Sequence, residues 1–166
     1  MLTLFQKLVL YFVHNNRKKP EQQLDFSKFS RIGILYQKPE QEAAVLSFVE
    51  KLKLLKKETS LLALDEGSKA AEAVKLPQVL TQKDLLFSFP KNASLQPFLS
   101  RSFDLIINLG KDNCFPLLYV AATADAPVKV GPYHPELMPY YDLMFDVKPQ
   151  DGIAAFIAQF NQFFKC

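Results

Sequence analysis

Apolar positions along this chain follow two spacings, one typical of strands and the other of helices. Short, mainly apolar runs indicate strands that are buried on both faces of a sheet. Such runs predict strands at 31–36, 60–64, 103–109, 128–130 and 143–147. Helix-type spacing lies between most of these runs, so we expect an open, mostly parallel α/β sheet with helices on both faces.

Helices are predicted wherever apolar residues recur three and four positions apart. Over the first 18 residues this spacing predicts an amphipathic helix with a stripe of Phe5, Leu8, Val9, Phe12 and Val13. Further helices are expected at about 39–56, 94–100, 115–124 and after Asp151. The helix at 115–124 is apolar on all sides, which predicts its burial. The pattern is weakest over 65–101, where one short strand is expected at 85–89, ended by Pro90.

The chain has 166 residues, of which 49% are hydrophobic, and this length is typical of one domain. We predict a single three-layer Rossmann-like domain of about five or six strands at 30–166, preceded by an N-terminal amphipathic basic helix and linker at 1–29. No apolar run approaches the ~20 residues that span a bilayer, and a signal peptide is not indicated. Two cysteines fit a reducing compartment, so we expect a cytoplasmic protein.

The net charge of +3 is concentrated at the N-terminus, where residues 1–31 contain six bases and two acids. The remaining domain is close to neutral and has no cluster of bases, so no nucleic-acid partner is expected. Three interpretations of the N-terminal helix stay open. It packs on its own domain, it docks onto a protein partner or a second copy, or it lies on an anionic membrane surface aided by Arg17, Lys18 and Lys19. We favour packing on protein.

Several common sites are excluded by spacing. The five glycines are at least 21 residues apart, so neither a dinucleotide or Walker phosphate loop nor a nucleophile elbow is present. Cys114 and Cys166 are 52 positions apart, and His14 and His134 are isolated. We therefore expect no metal site and no cofactor.

The candidate ligand site follows from the fold class. In open α/β sheets, ligands bind outside the carboxyl ends of the strands, where the strand order reverses. The candidates at these ends are Gln37, Lys38, Lys111, Asp112, Asn113, Cys114, Tyr133 and His134. By contrast, Asp104 and Asp142 precede strands and are interpreted as turn residues at the opposite end.

Each candidate also has a purely structural interpretation. The segment 110–114 leads into a helix N-terminus that could hold an anion beside Lys111, but we favour Asp112 or Asn113 as a simple N-cap. Cys114 could have a lowered pKa at that terminus, although burial is the favoured interpretation. His134 lies in an irregular loop and could transfer protons. Because the sequence shows no base partner or nucleophile for it, we favour the interpretation that this histidine is inert.

Five segments together resemble a family of small uncharacterised bacterial proteins, a domain of unknown function found in Bacteroidetes. The segments are RIGILY at 31–36, FDLIINL at 103–109, NCFPLLYVAA at 113–122, KVG at 129–131 and YDLMFD at 141–146. The resemblance covers most of residues 30–166. Members of that family often have an acidic residue just after the first strand, where this chain has Gln37, and the family provides no catalytic residue to transfer.

A looser likeness is to the N-terminal half of heptosyltransferase-like glycosyltransferases, in which a similar strand, apolar helix and Lys-x-Gly segment follow one another. It spans about one β-α-β unit and implies the fold more than the reaction, because those enzymes need a second domain. We therefore expect a non-enzymatic binding or interaction module. The alternative is a small transferase-like enzyme that uses Lys111, Asn113, Tyr133 and His134, provided that they converge on one pocket.

Overall fold

The apolar runs lie side by side in one six-stranded sheet of the computed structural model, which describes residues 2–14, 24–38, 40–65, 78–111, 114–148 and 150–166. All neighbouring strands of this sheet are parallel. In chain order the strands are β1 (Arg31–Lys38), β2 (Glu58–Asp65), β3 (Val79–Thr81), β4 (Leu85–Leu86), β5 (Phe89–Pro90), β6 (Leu105–Asn108), β7 (Val128–Pro132) and β8 (Leu143–Phe145). The short β4 and β5 form a separate antiparallel hairpin.

Two helical layers cover the sheet. The helices are α1 (Leu4–His14), α2 (Glu42–Leu54), α3 (Asn92–Leu99), α4 (Phe115–Thr123) and α5 (Gly152–Phe164). Alternate strand residues point to opposite layers. Ile34 and Ile107 belong to the core shared with α2 and α5, whereas Leu35 and Ile106 belong to the core shared with α1, α3 and α4. The prediction of a three-layer α/β fold is confirmed.

The strand order places a switch point in the middle of the sheet. The order is β3-β2-β1-β6-β7-β8, so the chain moves outward from β1 in one direction and then from β6 in the other. Ile34 is the register partner of Leu61 on one side and of Ile107 on the other. The loops that follow β1 and β6 are therefore neighbours, and this is where Rossmann-like folds bind their ligands.

The predicted strand at 85–89 is wrong in its form. The segment is a hairpin whose two-residue turn, Phe87 and Ser88, has positive φ angles of 50° and 71°. Pro90 lies inside β5 instead of ending the strand. The pattern also missed β3, a three-residue strand that lies in the region of the chain where the apolar pattern is weakest.

The predicted orientation of α1 is wrong for three of its five stripe residues. Leu10 is buried, and Val9 and Val13 are partly buried, but Phe5 and Phe12 are 64% and 66% exposed and Leu8 is also exposed. A second side of the helix carries Val9, Leu10 and Val13. Leu10 and Val13, together with Leu2 just before the helix, join the core beside α4. None of the helices among the described residues is long and apolar enough to cross a membrane.

Candidate functional site

Two buried glutamines join the loops at the switch point. The side-chain oxygen of Gln41 accepts a hydrogen bond from the Gln37 backbone N–H at 2.8 Å, and its amide donates to the Leu109 carbonyl at 2.9 Å. The side-chain oxygen of Gln37 in turn accepts from the Lys111 backbone N–H at 2.8 Å. Two of these hydrogen bonds therefore join the β1–α2 segment to the loop after β6, and the third holds Gln41 against the end of β1; both side chains are shielded from water.

A second network fills the ends of β6 and β7. The Asn108 side chain accepts from the Gly110 backbone N–H at 2.9 Å and donates to the Tyr141 hydroxyl at 2.6 Å. The Tyr141 ring lies against Gly131, where a Cβ atom would collide with it. Burial raises the pKa of Tyr141, so its hydroxyl stays neutral. A glycine at 131 is thus required for the ring to occupy the space beside the strand end.

Both predicted lysines of the site are paired with carboxylates from the start of α2 and the loop before it. Lys38 lies 2.8 Å from Glu42, and Lys111 lies 2.7 Å from Glu40. The hydrogen bond from Lys111 lowers the pKa of Glu40. Beneath them, the hydroxyl of the buried Tyr36 has no hydrogen-bond partner among the described residues, and burial raises its pKa.

The helix α4 begins at Phe115, close to the predicted start. Asp112 and Asn113 lie outside the described residues, and the N-cap position is occupied by Cys114, with Pro116 in the first turn. The prediction that Asp112 or Asn113 caps the helix concerns residues outside the described ranges, so it stays a prediction. The fixed φ of Pro116 suits the first turn of α4. Cys114 is buried, which confirms the structural interpretation of this thiol.

Tyr133 and His134 occupy the loop after β7. Tyr133 is 45% exposed, whereas the His134 ring accepts a hydrogen bond through Nδ1 from the Glu136 backbone N–H at 3.2 Å and so caps the 3₁₀ turn Pro135–Leu137. Glu136 pairs with Lys7 of α1 at 2.6 Å. His134 therefore contacts the residue that holds α1 through Lys7, whereas Lys111 contacts Glu40 in the β1–α2 loop.

At the amino ends of the strands, the two predicted turn residues hold backbone N–H groups. Asp104 accepts from Ser30 and Arg31 at 2.9 and 2.8 Å, and Asp142 accepts from Lys129 at 2.8 Å. Their placement away from the carboxyl ends is confirmed. A pocket of about 280 Å³ also opens at this end, lined by Arg31, Glu58, Ser60, Arg101, Ser102 and Phe103.

The pocket at the amino ends has its arginines already engaged. Arg101 donates to the Ser60 hydroxyl at 2.8 Å and to the Pro97 carbonyl at 3.2 Å. Arg31 lies 3.6 Å from Asp104. Among the described residues, no group of three or more histidine, cysteine or acidic side chains could hold a metal ion.

Sequence analysis missed three residues that shape the carboxyl end: Gln41, Asn108 and Tyr141. Gln41 is the N-cap residue of α2. Asn108 is a polar residue near the end of the apolar run at 103–109, and this was a usable signal for a polar group at the end of β6. Tyr141 acts through a hydrogen bond to a residue 33 positions away. No local spacing indicates that partnership.

A doubly wound parallel sheet with its switch point between β1 and β6 defines a Rossmann-like α/β protein. The chain belongs to the family of unknown function DUF6913, whose sequence profile matches residues 6–166. The resemblance to a domain of unknown function is thereby confirmed. No curated protein sequence matches the chain.

Among solved structures, the crystal structure of the glycosyl transferase family 9 protein from Veillonella parvula is similar. The sequences are 14% identical, the TM-score is 0.51, and the match covers 83% of this chain and 42% of that chain. At this identity the likeness shows a shared fold. This chain spans about two fifths of the length of that protein, in agreement with the expected likeness to one half of such an enzyme.

Proposed function

We propose that this protein is a non-enzymatic binding module. The observation that carries the proposal is the closure of the switch point, where Gln37 and Gln41 use their amide groups to bond the two adjoining loops. A ligand entering between these loops would have to replace hydrogen bonds that are already satisfied and buried, and this costs free energy. The usual ligand position of the fold is thus committed to internal contacts.

A second observation supports the proposal, because the apolar surface of the protein is concentrated elsewhere. One side of α1 and the β4–β5 hairpin expose a set of large side chains that we call the α1–hairpin surface: Leu4, Phe5, Leu8, Tyr11, Phe12, Leu86 and Phe87. Scattered exposed apolar residues are ordinary, but a contiguous group is typical of an interaction site.

Contacts between α1 and the rest of the fold hold this surface in place. Leu10 is fully buried in the core. The Phe5 and Phe89 rings meet edge to face with centroids 5.5 Å apart, and Phe89 contacts Phe115 of α4 at 4.8 Å. Together with the Lys7 ion pair, these contacts give the α1–hairpin surface a defined shape before any partner binds.

The proposal is tested by screening the full chain for ligand-induced thermal shifts and for turnover with nucleotides, nucleotide sugars and acyl donors. We expect neither a shift nor a reaction. Turnover of any of these compounds, lost on Lys111→Ala or His134→Ala, would establish instead the alternative of a small transferase-like enzyme. The matched control is Lys165→Ala, which removes an exposed lysine at the end of α5.

A cytoplasmic location is part of the same proposal. Both cysteines are free thiols, one buried and one partly exposed, as a reducing compartment favours. Cell fractionation of a tagged full chain tests the location.

A further inference from the structure

The pocket at the amino ends of the strands is a second candidate site, which the proposed function does not use. We call it the amino-end pocket, and its lining consists of Arg31, Glu58, Ser60, Arg101, Ser102 and Phe103. Its volume of about 280 Å³ has room for roughly nine groups of the size of a water molecule. This is the size of a small metabolite, and every lining side chain except Phe103 is polar or charged.

Arg101 is fixed at one side of this pocket, and part of its guanidinium group is still available. Its Nη1 donates to the Ser60 hydroxyl at 2.8 Å, and its Nε donates to the Pro97 carbonyl at 3.2 Å. These two bonds set the orientation of the guanidinium, while Nη2 has no partner among the described residues. An arginine that is already held in place binds a carboxylate with a smaller loss of side-chain entropy.

Ser60 adds a buried donor beside this guanidinium. It is only 5% exposed and lies in β2 just before the apolar residues of that strand. Its oxygen accepts the bond from Arg101, so the hydroxyl hydrogen remains for an acceptor inside the pocket. Ser102 brings an exposed hydroxyl to the same lining. Together, Arg101 and the two serines provide the donors that the oxygen atoms of a carboxylate require.

Two charges of the lining have no ionic partner within the described part of the chain. Arg31 lies 3.6 Å from Asp104, which balances its charge. Glu58 and Arg101, by contrast, form no ion pair with any described residue. The pocket therefore presents one positive and one negative group to a ligand. Glu58 would repel a phosphate or a simple carboxylic acid, whereas a zwitterion complements both groups.

The spacing of these groups fits a zwitterion whose charges lie close together. Glu58 and Ser60 are two positions apart on β2, so they lie on the same side of the sheet with Cα atoms about 6.6 Å apart. An α-amino acid has its ammonium about 3 Å from its carboxylate oxygens, and a hydrogen bond at each end extends this reach to about 6–8 Å. We propose that the amino-end pocket binds a small α-amino acid, with its carboxylate on Arg101 and Ser60 and its ammonium on Glu58. This inference goes beyond the proposed function, because it concerns a different site from the α1–hairpin surface.

Isothermal titration calorimetry of the full chain with each of the proteinogenic L-amino acids tests the inference. We expect binding of at least one amino acid with a small side chain. The same molecule without its ammonium group, or with its carboxylate converted to an amide, should bind roughly tenfold more weakly or worse, and inorganic phosphate should not bind. Glu58→Gln and Arg101→Gln should each weaken binding of that amino acid by roughly tenfold or more, since each removes one charge that faces the ligand.

The matched control is Glu50→Gln, since Glu50 is an exposed acid of α2 outside the amino-end pocket. Circular dichroism of each variant verifies folding. If Arg101→Gln fails to fold, Glu58→Gln still decides, because Glu58 is exposed at the start of β2. Absence of binding by every amino acid up to about 10 mM would overturn the inference.

Equal binding of phosphate or of the ammonium-free acid would also overturn the inference, because the pocket would then select an anion and not a zwitterion. Binding that survives Glu58→Gln would overturn it as well. None of these results counts against the proposed binding module, which depends on the closed switch point and the α1–hairpin surface.

Discussion

The carboxyl end of the sheet and the α1–hairpin surface have opposite relations to solvent. At the strand ends, amide and hydroxyl groups are buried and bond one another, as Gln41 and Asn108 do. On the α1–hairpin surface, large apolar side chains such as Phe12 and Phe87 face water. Hydrogen bonds that are satisfied within the fold stabilise it and leave few polar groups for a ligand to bind. Exposed apolar side chains, by contrast, would gain free energy if a partner removed them from water. At the position where related folds bind ligands, this fold has satisfied internal hydrogen bonds, and its exposed apolar side chains lie on a different surface.

Disrupting the buried network at the carboxyl end of the sheet should produce the largest loss of stability. Tyr141→Ala removes a buried ring and leaves Asn108 without one of its partners, so we expect a loss of about 3–5 kcal/mol in the free energy of unfolding. Urea denaturation measures it. Tyr133→Ala, at an exposed position on the neighbouring strand end, should change stability by less than about 0.5 kcal/mol. Equal losses of stability in the two variants would contradict the conclusion that the network around Tyr141 stabilises this end of the sheet.

The hydrogen bonds that Gln41 makes at the switch point can be tested in the same way. Gln41→Leu keeps an apolar stem but leaves the Gln37 N–H and the Leu109 carbonyl unpaired, so we expect a loss of about 2–3 kcal/mol. The control is Gln159→Leu, which removes an exposed hydrogen bond to the Asp146 carbonyl. If Gln41→Leu is as stable as the parent chain, water replaces the hydrogen bonds of Gln41, and the switch point is open to ligands.

Alkaline pH should destabilise the protein through its buried tyrosines. Burial raises the pKa of Tyr141 above its ordinary value of 10.0, so the folded state retains a proton that the unfolded state loses. This contribution is complete below pH 10 and falls as pH rises beyond it, by about 1.4 kcal/mol per pH unit for one such group. Tyr141→Phe should make the decline shallower by that amount in unfolding measured from pH 9 to 12 (roughly the window around the tyrosine pKa).

The smallest expected change in stability concerns the α1–hairpin surface, and it is a gain where the other changes are losses. Asparagine tolerates the left-handed conformation that Phe87 adopts, so Phe87→Asn should raise the free energy of unfolding by about 1 kcal/mol. Thermal and urea unfolding measure the gain. Leu54→Asn, in a helix, should bring none. A Phe87→Asn protein that is less stable than its parent would mean that the ring packs on the fold instead of awaiting a partner.

Long unbroken apolar runs made the central strands predictable. The run from Ile32 to Tyr36 is buried on both sides of the sheet, so every position had to be apolar. Two- and three-residue strands such as β3 and the hairpin have no period to read. For α1 the difficulty was the reverse, because the helix has two apolar stripes and the spacing alone does not say which of them meets the core.

At the candidate site, positions were more predictable than partnerships. Gln37 was selected because it follows a strand, and it does lie at the switch point. Its side chain bonds the backbone of Lys111, 74 residues away, and a contact of this kind depends on the folded arrangement of the loops. For the same reason Tyr141 was missed, since its fit depends on the absence of a side chain at Gly131 on the neighbouring strand.

The pairing of β1 with β6 has a consequence for how the chain folds. β1, α2 and β2 are close in sequence and can assemble early, but Ile34 must then meet Ile107, about 70 residues further along. Closing so long a loop is entropically costly and slow. Until β6 arrives, one side of β1 has unpaired backbone groups between two apolar faces, a template for pairing with another chain. We expect the yield of refolding to fall with protein concentration, even though this edge does not exist in the finished sheet.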